Sequence, residues 1–287
     1  MIREKRGWSK PKRLLAGLLA VFLALLVARE YFEPFLTLFI NDIIHPKPAP
    51  EIIRLTDQTA LWLYTDTRPH IGKIDALQKG LVLEHADRRL IEEAYGFGLP
   101  LVVAGGAPYN ARHAEVLRVA DNTLVKRYVI DTADRPVQPL RRKYQPVEPL
   151  GTVVVTYTIQ PPDLISITAD LTGLEVAWDE VYLMNEQGAR AFTFFRDPAD
   201  QTWTTEDMGI WQQTEAPFGC WEAPAHNLRF CVEAPAGQPG FIGRERYNQY
   251  NWTGIYYLSW SGIDLEITPP QTTFTYTIRV ENLPDAP

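Results

Sequence analysis

The sequence predicts a mainly β, antiparallel sandwich or supersandwich preceded by one N-terminal transmembrane helix. Three observations carry that expectation. Residues 151–281 form a succession of short segments rich in Val, Ile, Thr and aromatic residues, the composition of strands. After residue 45 no segment has the pattern of a helix longer than three turns. At the other end, Leu14 to Ala28 is a fifteen-residue run without a charge, behind Arg3, Lys5, Arg6, Lys10, Lys12 and Arg13.

That run is shorter than the roughly 20 apolar residues a full span needs. It continues past Arg29 and Glu30 as an apolar, aromatic stretch in which Tyr31, Phe32, Phe35 and Phe39 suit an interfacial belt. A cleaved signal peptide is the competing reading, but Leu26 stands where a second small residue is wanted. The expectation is an uncleaved signal-anchor across 14–44, with the basic arm 1–13 held in the cytoplasm and the remainder outside the cell membrane. The lipid bilayer is then a partner. Residues 1–13 carry net +5, so of the formal −7 the rest of the chain carries −12. Such a body repels phosphate backbones, which argues against nucleic acid.

His45 to Pro50 is a Pro-rich spacer, extended and stiff. A first β region, 51–130, opens with strands at 51–55 and 60–66, then a turn bracketed by Gly72 and Gly80 and a strand from Leu81. Asp87-Arg88-Arg89 suggests a hairpin tip. The glycines of Tyr95–Gly106 superficially suggest a phosphate loop, but Pro100 and the strand-like Leu-Val-Val-Ala favour tight turns around a buried strand. Residues 107–115 suit a loop or one helical turn. Strands at 115–121 and 123–131 form a hairpin turning at Asp121-Asn122. A Pro-rich connection, 131–150, precedes the second β region, 151–287. There Gln187-Gly188 and Ser261-Gly262 suggest tight hairpin turns, and no fixed-period repeat is visible.

The two cysteines, Cys220 and Cys231, fit a hairpin that turns between Ala225 and His226. That register sets Cys220 against Cys231, Trp221 against Phe230 and Glu222 against Arg229. Outside the cytoplasm the cysteines form a disulfide; a reduced, buried pair is the alternative.

No chemistry-bearing motif is complete. His45, His70, His85, His113 and His226 lack metal-ligand spacing, so neither a metal nor a cofactor is expected. GxSxG is absent, and no catalytic residue is assigned. Available carboxylates are Glu92-Glu93, Asp179-Glu180 with Glu186, Glu206-Asp207, and Asp264 with Glu266; their separations, on which glycoside chemistry depends, are not written in the sequence. The tract from Arg244 to Tyr257 is aromatic and polar. Flat rings offer stacking for sugar C–H faces, while amides and guanidinium groups bond hydroxyls. Candidate ligand-binding residues are Arg244, Arg246, Tyr247, Asn251, Trp252 and Tyr256, with Trp211 and Glu186. A core girdle holding a long loop explains the same tract. Asn251-Trp-Thr253 also matches an N-glycosylation acceptor.

The strand pattern of Gly151–Leu174, followed by Glu180–Phe195 and closed by Thr272–Glu281, resembles the galactose-mutarotase-like supersandwich. That fold recurs in carbohydrate-active enzymes and in non-catalytic modules beside them. The histidine pair and glutamate of true mutarotases have no counterparts here, so the resemblance implies a fold and no catalytic residue. The expected function is a membrane-anchored extracytoplasmic β domain binding a glycan or an envelope partner. One alternative is a carbohydrate-active enzyme using paired carboxylates, or a carboxylate with His226; another is a structural envelope subunit.

Overall fold

The computed structural model describes residues 15, 17–24, 49–64, 78–91, 94–134, 144–204, 211–251 and 254–283, with backbone alone at 134, 144–146, 204, 211, 245–251 and 254–259. The chain divides into two compact units, Met1–Lys47 and Pro48–Pro287. In the first, Leu15 and Gly17 to Ala24 are helical and exposed. Among the described residues no helix is long and apolar enough to cross a membrane. The rest of the expected 14–44 anchor, the basic arm and residues 45–48 of the spacer lie outside the described residues.

The second unit is all antiparallel β. A small sheet joins β1 (Glu51–Arg54), β2 (Thr59–Leu63), β3 (Val82–His85) and β4 (Arg88–Arg89) in sequence order. The remaining strands are β5 (Gly96–Ala104), β6 (Ala107–Ala120), β7 (Thr123–Asp134), β8 (Tyr144–Pro146), β9 (Thr152–Gln160), β10 (Leu164–Asp170), β11 (Glu180–Gln187) and β12 (Phe194–Arg196). They continue with β13 (Thr202–Thr204), β14 (Trp211–Glu215), β15 (Gly219–Ala223), β16 (Leu228–Glu233), β17 (Pro239–Asn251), β18 (Gly254–Ile267) and β19 (Thr273–Asn282). These fifteen make one sheet, ordered β13-β12-β15-β16-β19-β10-β9-β7-β6-β5-β11-β18-β17-β14, with β8 on β7.

The two edge strands of that sheet, β13 and β14, are separated in sequence only by residues 205–210. So short a link spans at most about 25 Å, so the sheet must fold back on itself. Its two halves meet face to face. Phe97 on β5 packs edge-on against Phe230 on β16 at 5.1 Å. The buried Trp221 indole on β15 donates to the Gly262 carbonyl on β18 at 3.0 Å. Alternation supplies the core: on β9, Val153, Val155, Tyr157 and Ile159 are fully buried while the residues between them face outward.

The cysteine hairpin has the expected register, and Cys220–Cys231 is a disulfide. The expected Glu222–Arg229 ion pair is not made. Glu222 takes Arg196 at 2.6 Å, and Arg229 takes Glu281 at 2.5 Å, because neighbouring strands β12 and β19 offer closer partners. The β6–β7 hairpin turns between Ala120 and Thr123 as expected, but residues 107–115 belong to β6 rather than to a loop.

Two expected hairpins fail. β11 pairs with β5 and β18, not with the strand that follows it. Ser261 and Gly262 lie inside β18: Ser261 donates to the Phe192 carbonyl at 2.7 Å, and a Cβ on Gly262 would stand 2.7 Å from the Glu186 Cγ. This glycine answers a close approach between strands, not a turn.

Candidate functional site

Four of the sequence-named carboxylates, Glu180, Glu186, Asp264 and Glu266, come together where β11 pairs with β18, while Glu92, Glu93, Glu206 and Asp207 lie outside the described residues. Tyr182 stands opposite Glu266, and Glu186 opposite Gly262. Glu180 lies on β11 two residues before Tyr182, and Asp264 on β18 two residues before Glu266. Period-2 alternation therefore lines four carboxylates along one seam between two non-consecutive strands.

One end of the seam is sealed. Glu186 and Asp264 are only 1% exposed. Asp264 Oδ1 accepts the Asn185 backbone N–H at 2.8 Å, while its Oδ2 has no hydrogen-bond partner among the described residues. Burial raises the Asp264 pKa well above the carboxylate range; the nearby Glu186 charge adds to this, and the Asn185 N–H opposes it. Glu186 Oε2 accepts the Tyr95 N–H at 3.1 Å. Beside the pair, Asn185 ties four strands together. Its Oδ1 accepts from the Tyr276 hydroxyl at 2.7 Å and the Gly98 N–H at 3.2 Å. Its Nδ2 donates to the Leu183 and Ile263 carbonyls at 2.9 and 3.1 Å. Gly98 accepts this crowding at φ +77°, with Tyr157 where a Cβ would stand.

The other end is open. Glu180, Tyr182 and Glu266 are partly exposed. The Tyr182 hydroxyl donates to Glu180 Oε2, and the Phe241 ring lies edge-on to the Tyr182 ring at 5.7 Å. Burial, that hydrogen bond and the Glu180 and Glu266 charges together raise the Tyr182 pKa, so the phenol stays protonated. Glu266 is also pushed up, by burial first and then by Glu180. The open end thus holds one carboxylate that accepts, one carboxyl that retains its proton to higher pH, a phenol between them and an aromatic face alongside.

The sequence-derived ligand tract is differently placed. Residues 244–251 and 254–257 are not loop: they lie in a β17–β18 ladder running from Gly240↔Leu265 to Asn251↔Gly254. Arg244 donates to the Ala189 carbonyl at 3.3 Å. Glu186 sits in the interior, apart from any surface. The backbones of Arg246, Tyr247, Asn251 and Tyr256 stand in the ladder and that of Trp211 on β14, their side chains undescribed; Trp252, with the glycosylation motif's Thr253, lies outside the described residues. Tyr182 and Phe241 were not singled out by the sequence. The signal available for the former was the Glu180-Val-Tyr182 spacing, which puts two polar side chains on one strand face.

Histidines cluster elsewhere. His85 Nδ1 is 2.9 Å from the Thr59 hydroxyl, and its ring meets that of His226 at 6.4 Å. Among the described residues no group of three or more His, Cys, Asp or Glu could hold a metal ion.

No protein-family model matches the chain, and no curated protein sequence does. Solved structures similar to it include a 4-alpha-glucanotransferase from Thermococcus litoralis, at 9% identity and TM-score 0.43 over 83% of this chain and 42% of that one. A heparan sulfate lyase from Pedobacter heparinus is similar at 11% identity and TM-score 0.42, over 84% of this chain and 36% of that one. An aldose epimerase homologue from C. elegans is similar at 8% identity and TM-score 0.39, over 82% of this chain and 100% of that one. The chain therefore spans well under half the length of the first two.

Proposed function

We propose that this chain is a membrane-anchored, extracytoplasmic β-sandwich protein that binds a carbohydrate at the open end of the β11–β18 seam. The observation that carries the binding reading is the partly exposed group Glu180, Tyr182 and Glu266 beside the Phe241 ring. Carboxylates accept sugar hydroxyl protons, a phenol held by one of them gives direction, and an aromatic face takes the C–H side of a pyranose. The compartment rests on separate support. A disulfide persists where thiols are oxidised, and the basic arm before an apolar run directs the N-terminus to the cytoplasmic side.

The full chain in detergent micelles is applied to an array of neutral and acidic glycans, beside Tyr182→Phe and Glu266→Gln variants. Binding to a glycan class that both substitutions weaken supports the reading; binding unaffected by either, or no binding, sinks it.

The raised Glu266 pKa favours a second reading. A carboxyl with a raised pKa beside a second carboxyl has the makings of a general acid beside a general base. In a carbohydrate-active enzyme on this seam, the alkaline limb of the pH–rate profile, set by loss of the Glu266 proton, would move to lower pH in the residual activity of Glu180→Gln.

A further inference from the structure

Within Pro48–Pro287, five large apolar side chains among the described residues are well exposed, and three of them gather at one place. Leu117 and Val119 are 58% and 54% exposed near the tip of the β6–β7 hairpin, and Ile52 is 40% exposed on β1. The residue between the first two joins the sites: Arg118 Nε donates to Glu51 Oε2 at 2.7 Å and its Nη2 to the Ile52 carbonyl at 3.0 Å. A third bond, from Nη1 to the Asp121 carbonyl at 2.7 Å, holds the turn. The guanidinium thus clamps the first strand of the body to the hairpin tip, at the point where the β6–β7 register shifts between Arg118 and Ala120.

Strand direction shows what else shares this end. The rungs Glu180↔Val103 and Val181↔Ile267 mark one end of the β5–β11–β18 sheet; Glu186↔Gly96 and Glu186↔Gly262 mark the other. β6 leaves the first end at Pro108, opposite Val103, and runs toward the second. The β17–β18 ribbon extends past that second end through rungs Arg244↔Ser261 to Asn251↔Gly254. From Tyr247 to Trp260 the sequence carries no charge and six aromatic residues, within a body of net −12.

The length of chain before β1 says what this end meets. From Ile44, where the apolar N-terminal stretch stops, to Glu51 is seven residue steps, a reach of about 25 Å fully extended. Wherever that stretch enters a bilayer, Glu51 stays within that distance of it, and Arg118 ties the hairpin to Glu51. Exposed Leu and Val at the end of the sheet from which an uncharged, aromatic-rich ribbon sequence extends suit the headgroup–acyl boundary, where apolar area leaves water.

We propose that this end of the β body, the Leu117/Val119 tip beside Ile52, rests on the interfacial region of a phospholipid bilayer. The inference depends on the membrane-anchor reading and adds an orientation to it: the body lies against the membrane by this end, leaving the Glu180–Tyr182–Glu266 group at the far end of β11, away from the lipid. The tip is a docking surface distinct from the carbohydrate site.

The test uses the full chain reconstituted in phosphatidylcholine–phosphatidylglycerol vesicles. No free cysteine competes for label among the described residues, so Leu117→Cys, Val119→Cys, Val176→Cys and Trp203→Cys each take one polarity-sensitive fluorophore. Lipid-borne nitroxide should quench positions 117 and 119 at least about three-fold more than 176 and 203, whose native side chains are comparably apolar and exposed. Equal quenching at all four overturns the proposal, as does protection of 117 and 119 that follows chemical cross-linking of two copies rather than lipid. Flotation of the unlabelled chain after an alkaline wash separates the two readings. Flotation without selective quenching removes only the orientation; loss of flotation removes the anchor and the orientation with it.

Discussion

The two ends of the β11–β18 seam carry the same kind of side chain and meet opposite fates. Glu186 and Asp264 at one end are sealed, and burial raises the pKa of Asp264 well above its ordinary value. Glu180 and Glu266 at the other share a tyrosine and keep access to solvent. Residue type cannot account for the difference. What differs is cover: at the sealed end every residue from Trp260 to Leu265 is buried, whereas Glu266 is only partly so. Burial disfavours the charge on Asp264, whose Oδ2 has no hydrogen-bond partner among the described residues, so the sealed end serves structure. The open pair retains polar valence that a ligand can use.

The largest expected effect breaks the sealed end. Asn185→Ala leaves the Gly98 N–H, the Tyr276 hydroxyl and the Leu183 and Ile263 carbonyls without their buried partner. The expected loss is about 3–5 kcal/mol, read from the urea midpoint, and a loss below about 1 kcal/mol would show that the knot is dispensable.

Asp264→Asn sharpens the contrast through pH. Because the folded pKa of Asp264 is raised above its ordinary value of 3.8, its contribution to stability is complete below 3.8 and is lost as pH rises through the folded value. The asparagine can still accept the Asn185 N–H and cannot ionise. Denaturation midpoints across pH 4–9 should decline with pH in the parent and lie flatter in the variant; parallel curves would mean that Asp264 ionises freely.

At the open end the order of effects reverses. Glu266→Gln should leave the denaturation midpoint within about 1 kcal/mol of the parent, yet weaken glycan binding about tenfold or more. A large stability loss with intact binding would turn the comparison round.

The smallest effect lies outside the seam and has the opposite sign. Burial, then the His226 charge, lowers the pKa of His85. Its contribution is present above the ordinary value of 6.5 and is lost as pH falls from there through the folded value. His226→Gln should move the His85 imidazole resonance titration upward in NMR; an unchanged titration would remove His226 as a cause.

Much of the scaffold was legible locally. The cysteine register, the Asp121-Asn122 hairpin and the burial of the glycine-flanked Phe97–Val102 strand follow from alternation and turn chemistry within a dozen residues. Pairings between distant strands were not. Gly262 suggested a turn because glycine marks both turns and close approaches, and only the neighbouring strand distinguishes them; Gly188 does open a turn, but the strand after it does not pair with β11. Glu222 and Arg229 were correctly opposed but took partners on β12 and β19, strands whose adjacency no local pattern announces.

By itself, then, the sequence determined the class of the body, its antiparallel strands, the register that sets Cys220 against Cys231 and the inventory of carboxylates. These depend on side-chain period and turn residues, which act over a few positions. The tertiary structure alone decided that β11 lies beside β18, which carboxyls were sealed and which stayed wet. Desolvation depends on what covers a group, and that cover comes from residues far away in the chain.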